Sequence, residues 1–150
     1  MKRWVKSTAV AGVLGAAALL VLPQAATSAL PVGAKAPDFT TRGALAGKLF
    51  TLRLSEHLKK GPVVLYFFPA AFTPGCTAEA HEFAEATDDF KAAGATVIGM
   101  SADPVDKLAK FSTQECRDKF AVASAGPAIV KDYDVALPVP GGMTNRTSYV

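Results

Sequence analysis

The only thiols in this 150-residue chain belong to Cys76 and Cys116. Cys76 follows the loop Pro69-Ala70-Ala71-Phe72-Thr73-Pro74-Gly75 and stands at the start of a helical pattern. In the first turn of a helix, unpaired backbone N–H groups and the positive end of the dipole favour an anion. For a cysteine that anion is the thiolate, the nucleophilic and redox-active form. Thr73, three residues upstream, offers a hydroxyl, and Glu79, one turn downstream, can orient a cation such as arginine. On these residues alone Cys76 is a candidate nucleophile. A small apolar side chain at a helix start accounts for it equally well.

Cys116 lies in the charged run Glu115-Cys116-Arg117-Asp118-Lys119. Arg117 and Lys119 could activate its thiol, and a solvated face explains them as well. In an oxidising compartment the two cysteines could simply form a structural disulfide. His57 and His81 with the cysteines raise the question of a metal, but no C-x-x-C or H-x-x-x-H spacing organises ligands. His57 reads as part of a surface loop with Lys59 and Lys60, and His81 as a helix residue near Cys76. Phe67, Phe68 and Phe72 read as core and pocket wall.

The elements that must position these groups follow from hydrophobic period and breakers. Residues 31–43 read as irregular, punctuated by Pro31, Gly33, Pro37 and Gly43. Leu49 to Leu54 alternates like a half-exposed strand, and a polar loop runs to Gly61-Pro62. Val63 to Phe68 reads as a strand buried on both faces. A helix begins near Cys76, places Ala80, Phe83, Ala84, Thr87 and Phe90 on one face, and ends at Gly94. Thr96 to Ser101 reads as a second buried strand. Asp103-Pro104 reads as a helix start with the acid as N-cap. That helix carries Val105, Leu108, Ala109, Ser112 and Cys116 on a largely core-facing side. Ala128 to Tyr133 reads as a short helix, and Arg146 to Val150 as the start of a strand. No repeat or second domain is evident after residue 30. The alternation implies one α/β domain over residues 30–150 with a central, largely parallel sheet. Ligands of such sheets gather beyond the C-terminal ends of the strands, where the loop after Phe68 begins.

Residues 1–29 have the three parts of a secretory signal: Lys2, Arg3 and Lys6, the apolar run Ala9 to Leu22, and small residues after Pro23. The expected cleavage is after Ala29, giving an exported, periplasmic or secreted protein; an uncleaved anchor is the other reading. Those three cations account for the whole net charge of +3, so the rest of the chain is neutral. That balance gives no electrostatic case for nucleic acid or a stable membrane partner.

The motif Pro69-x-x-x-Thr73-x-x-Cys76 resembles the P-x-x-x-T-x-x-C signature of peroxiredoxins, the AhpC/TSA superfamily. The surrounding VVLYFFP, TPGCT and VIGMSAD resemble its Q-type, or bacterioferritin-comigratory, branch. Val32-Gly33-x-x-Ala36-Pro37-Asp38-Phe39 resembles the branch's opening, and Arg146-Thr147-x-Tyr149-Val150 its late strand. The resemblance implies a thioredoxin-like fold, a central mixed sheet flanked by helices. It implies a thiol-dependent peroxidase acting on hydrogen peroxide and organic hydroperoxides. Cys76 would be the peroxidatic cysteine, passing through a sulfenic acid. Thr73 would hydrogen-bond the peroxide, Pro69 would shield the thiolate, Arg146 would stabilise it, and Glu79 would hold Arg146. No metal, haem, flavin or other cofactor is implied. The implied partners are the peroxide and a thioredoxin-like or small-thiol reductant, with the protein a monomer or weak dimer.

Many Q-type members carry a resolving cysteine five residues after the first, where this chain has His81. Other members place it on the helix after the second strand, which makes Cys116 the resolving candidate. The alternatives are a one-cysteine enzyme with an inert Cys116, and a non-catalytic module stapled by a Cys76–Cys116 bridge. A thiol–disulfide exchanger would show C-x-x-C and a copper-assembly relative C-x-x-x-C; positions 79 and 80 are Glu and Ala. The chain stops at Val150 inside the late strand, whereas family members usually continue. The expectation is a domain truncated at its C-terminus, with Arg146 on a frayed end.

Overall fold

The computed structural model describes residues 29–150, so the leader read in residues 1–29 lies almost wholly outside the described residues. The centre of the fold is three parallel strands: β3 (Val63–Phe67), β4 (Thr96–Ser101) and β5 (Ala121–Ser124). β3 is buried at every position. Its alternate residues feed two cores: Val64, Tyr66 and Phe68 face one side, and Val63, Leu65 and Phe67 the other.

The first core is closed by α2 (Pro74–Ala92) and α3 (Val105–Gln114), which bring Ala80, Ala84, Leu108 and Phe111 to it. Phe83 and Phe90 pack on its margin, and Thr87 is buried with its hydroxyl donating to the Phe83 carbonyl at 2.7 Å. Gly94, in the left-handed region at φ +74°, follows the end of α2 and turns the chain into β4. On the opposite face, α4 (Pro127–Asp132) supplies Ile129 and Val130, and Tyr133 and Val135 follow it into that core.

The sheet is mixed, as the family resemblance implies, and less parallel than the strand–helix alternation alone suggests. Its order is β2-β1-β5-β4-β3-β6, with β1 (Thr40–Leu45), β2 (Lys48–Arg53) and β6 (Thr147–Tyr149) all antiparallel to their neighbours. Residues 40–43, expected to be irregular, belong to β1. Pairing with β2 along its length, and with β5 from Gly43 onward, makes the polar stretch Thr40-Thr41-Arg42-Gly43 a strand. At Gly43 a Cβ would meet the Val122 carbonyl oxygen at 3.1 Å, so the residue that reads as a breaker permits the close approach of β5. β1 and β2 meet through Ala46-Gly47, both at positive φ, which is the twist a two-residue hairpin requires. The expected polar loop before Gly61 contains α1 (Leu54–Leu58), a helix too short to show a period. Its first turn is fixed by buried Leu54 and by the Ser55 N–H donating to Asp38 at 3.0 Å. β5 is four residues of Ala, Val and Ser, too brief and too small to stand out in sequence.

Three further expectations are corrected. Pro104, rather than Asp103, is the cap residue of α3, and no side chain caps that helix. The carboxylate of Asp103 turns away to accept bonds from the Ala71 N–H at 2.6 Å, the Ser101 hydroxyl at 2.9 Å and the Lys107 ammonium at 2.8 Å. Cys116 lies two residues past the end of α3, in a turn. Nor is Arg146 on a frayed end. Residues 147–149 pair with β3, and the Tyr149 hydroxyl donates to the Tyr133 carbonyl at 2.6 Å while accepting from the Leu30 N–H at 3.1 Å.

Gly99 sits in the middle of β4 opposite Tyr66, where a Cβ would lie 2.9 Å from the tyrosine ring and its hydroxyl. Neither backbone nor ring can retreat in a fully packed sheet. Gly99→Ala is expected to lower stability by about 1–3 kcal/mol, read as an earlier urea midpoint with an unchanged slope.

Candidate active site

The loop between β3 and α2 carries the site. Thr73 is the extended N-cap residue of α2, Pro74 and Gly75 fill the first two helical positions, and Cys76 is third. Cys76 therefore sits in the first turn, as its sequence surroundings require, with its side chain only 1% exposed. The loop is pinned from below by Asp103 through the Ala71 N–H. Phe72 holds a left-handed backbone at φ +68°, unusual for an aromatic residue. Its ring meets Phe111 edge-on at 5.3 Å, a contact that offsets part of the strain.

Arg146 arrives from the far end of the chain. Its Nη2 donates to the Cys76 Sγ at 3.3 Å, and its Nη1 donates to Glu79 Oε2 at 2.6 Å. Glu79 lies one turn beyond Cys76 on α2, so one helix face presents both the sulfur and the carboxylate that aims the cation. Burial raises the Glu79 carboxyl above its ordinary value, with the charge and hydrogen bond of Arg146 pulling the other way. Arg146 is in turn positioned by two contacts close by in sequence. β6 pairs with β3, and the buried Thr144 hydroxyl donates to the Phe68 carbonyl at 2.6 Å.

Of the residues singled out in sequence, Cys76, Glu79 and Arg146 thus come together, while Pro69 and Thr73 lie on the loop that leads into α2. The Thr73 hydroxyl donates to the Ala70 carbonyl at 3.0 Å, across the turn that bends the loop. Pro69 is half-buried where β3 leaves the sheet. Three positioning residues escaped sequence reading. Thr144 acts through one buried hydrogen bond, and Asp103 through the bond it accepts from the Ala71 N–H, neither with a local signature. Gly75 is informative only in space: a Cβ there would stand 2.7 Å from the Arg146 Nη2.

Cys116 is free, as is Cys76, and both lie in the same core cluster with Tyr66, Phe68 and Phe111. Their electrostatic surroundings differ. Burial pushes the Cys116 thiol far up, and the negative charges of Glu115 and Asp118 push it further. Of the two readings open for Arg117 and Lys119, activation of the thiol is not the one that fits these surroundings. Both cations reach away to α2, Arg117 to Glu85 at 3.2 Å and Lys119 to Asp88 at 3.6 Å. His81, at the position many Q-type chains give to cysteine, pairs through Nε2 with Glu115 at 2.8 Å. His57 belongs to α1 rather than to a loop and is half-buried. Among the described residues no three His, Cys, Asp or Glu side chains converge as metal ligands.

Several comparisons bear on this arrangement. The AhpC/TSA family model matches residues 32–150. A peroxiredoxin-named protein of Mycobacterium tuberculosis strain H37Rv is 39% identical over 100 residues, 65% of either chain. The chloroplastic peroxiredoxin Q of Oryza sativa subsp. japonica is 35% identical over 118 residues, 79% of this chain and 52% of that one. These alignments therefore span less than two thirds of the relatives' own lengths. Among solved structures, the peroxidoxin BcpB of Mycobacterium tuberculosis superposes with a TM-score of 0.69 at 36% identity, covering 79% of this chain and 76% of that one. The reduced 2-Cys peroxiredoxin of Plasmodium vivax superposes at 0.68 with 23% identity, covering 78% and 76%, which speaks to the fold alone.

Gly75→Ala keeps every charged group and forces the guanidinium off the sulfur. It is expected to slow the oxidation of Cys76 by hydrogen peroxide on the order of 10- to 100-fold, the effect of displacing a reacting partner by about 1 Å. Stopped-flow oxidation of the reduced protein, followed by mass analysis of the Cys76 peptide, reads the change.

Proposed function

The chain belongs to the AhpC/TSA family, and from that premise we propose that it is a peroxiredoxin, a thiol-dependent peroxidase acting on hydrogen peroxide and organic hydroperoxides. The observation that carries the reading is the Arg146 guanidinium, 3.3 Å from the Cys76 sulfur and tethered by Glu79. A peroxide needs a thiolate nucleophile and positive charge beside the oxygen that leaves. One fixed cation serves both, because the charge moves only from sulfur to oxygen during the reaction.

In the proposed step the Cys76 thiolate attacks the terminal peroxide oxygen. The S–O bond forms as the O–O bond breaks, and the electron pair departs on the distal oxygen. That oxygen takes up a proton and leaves as water or alcohol, while Cys76 becomes a sulfenic acid. The Thr73 hydroxyl hydrogen-bonds the peroxide, and Pro69 limits water at the sulfur. Cys116 then attacks the Cys76 sulfur, forming a disulfide and releasing the sulfenic oxygen as water. A thioredoxin-like dithiol, or two equivalents of a small thiol, reduces that disulfide and is itself oxidised. The protein works as a monomer or weak dimer without a cofactor. Residues 1–29 direct it out of the cytoplasm and are removed near Ala29, leaving residues 30–150 as the working domain.

A one-cysteine cycle is the second reading. It is favoured by one observation, the complete burial of Cys116 under a charge environment that keeps its thiol protonated.

Two variants separate these readings. Cys76→Ser is expected to reduce peroxide consumption to the rate without protein; turnover near wild type would remove the central assignment. In Cys116→Ser, one equivalent of peroxide is expected to leave Cys76 as a trappable sulfenic acid, with the loss of two hydrogens seen in the wild type now absent. The same mass change in both proteins, one oxygen added, would favour the one-cysteine cycle.

A further inference from the structure

Cys76 and Cys116 are buried on different segments, at 1% and 0% exposure, and both are free thiols. What holds the Cys116 segment is a ladder. Along one side of α2, His81, Glu85 and Asp88 follow the three- and four-residue spacing of a helix face. Opposite them Glu115, Arg117 and Lys119 alternate along the turn that contains Cys116. The rungs are His81–Glu115 at 2.8 Å, Glu85–Arg117 at 3.2 Å and Asp88–Lys119 at 3.6 Å. The polarity changes sides at the first rung, where α2 supplies the imidazole and the turn supplies the carboxylate. The turn is also strained: Arg117 and Asp118 are consecutive non-glycine residues in the left-handed region, at φ +52° and +59°. Its backbone is tied to its own side by the Asp118 N–H donating to the Ser112 carbonyl at 3.0 Å and the Lys119 N–H to the Cys116 carbonyl at 2.9 Å.

We propose that residues 115–119 are a strained clasp, closed onto α2 by two ion pairs and the His81–Glu115 hydrogen bond, whose opening releases Cys116 toward Cys76. This rests on the reading of Cys116 as the resolving cysteine. The Glu85–Arg117 and Asp88–Lys119 rungs are largely solvent-exposed, so each holds weakly and is screened by salt, while the His81–Glu115 rung is partly buried. Weak rungs over a strained turn make local opening frequent without unfolding the sheet. His81, Glu85 and Asp88 are then positioning residues for the second step of the cycle, and none of them touches the peroxide. The covalent step is the one already given, in which the Cys116 thiol and the Cys76 sulfenic acid become a disulfide and water.

The test is a charge reversal with its rescue. Release is read first without any peroxide, as alkylation of Cys116 by iodoacetamide in the Cys76→Ser background, each rate divided by that of the same protein in denaturant. Glu85→Lys sets two cations against each other across the middle rung and should speed labelling about two- to five-fold. Adding Arg117→Glu restores the pair in reversed sense and should return the rate to its starting value. The same pair of variants with Cys76 intact should speed and then restore disulfide formation after one equivalent of peroxide, while the preceding oxidation of Cys76 keeps its rate. Labelling that ignores Glu85→Lys, or a double reversal that does not restore it, overturns the clasp. If labelling follows the ladder but peroxide yields no Cys76–Cys116 disulfide in the unmodified protein, the clasp stands as a hold on Cys116 and its role in resolution falls.

Discussion

A guanidinium held 3.3 Å from a buried sulfur is the contact on which the rest of the site depends. A buried anion is costly unless a counter-charge and donors replace the water it has lost. Cys76 sits in the first turn of α2, where the helix dipole favours an anion, and Arg146 supplies a full charge. That arginine is 70 residues away in the chain, so its placement is a tertiary achievement. The antiparallel pairing of β6 with β3, the Thr144 hydroxyl on the Phe68 carbonyl and the Glu79 carboxylate each remove one freedom from the side chain. Gly75 contributes by having no side chain where the guanidinium must lie.

The two thiols share one hydrophobic core and face opposite charges within it. Cys76 meets a cation, whereas Cys116 meets the carboxylates of Glu115 and Asp118. The basic residues that flank Cys116 in sequence spend their charge on α2. Two sulfurs of equal intrinsic chemistry are thereby given different readiness. The same ion pairs that turn cations away from Cys116 also fix the position of its segment. Charge distribution and local stability are therefore coupled through the same side chains.

Strain recurs at both thiols. Phe72 precedes Cys76, and Arg117 and Asp118 follow Cys116, all in left-handed backbone without glycine. Such conformations persist where surrounding packing over-determines them. Around Phe72 the restraint is aromatic packing and the Asp103 anchor, both inside the fold. Around residues 117–118 it is a set of exposed ion pairs. The first loop is built to stay, and the second is held by interactions that water competes for.

Sequence alone determined the elements whose signal is local and strong. Val63–Phe67 and Thr96–Ser101 declared themselves by unbroken apolar character, and α2 by its period and by the loop that places Cys76 in its first turn. Cys76, Thr73 and Glu79 were legible from their spacing about the helix start, whereas Pro69 and Arg146 were named only through the family resemblance. Tertiary structure decided what depends on partners distant in sequence. It made a strand of polar residues 40–43, hid β5 in a short Ala-rich run, and turned Asp103 from a helix cap into an anchor for the catalytic loop. It also decided between the two readings left open for the charges flanking Cys116, because such charges act according to where their side chains point, and that direction was set by carboxylates on α2. Hydrophobic period survives in one dimension; charge pairing and close approach exist only in three.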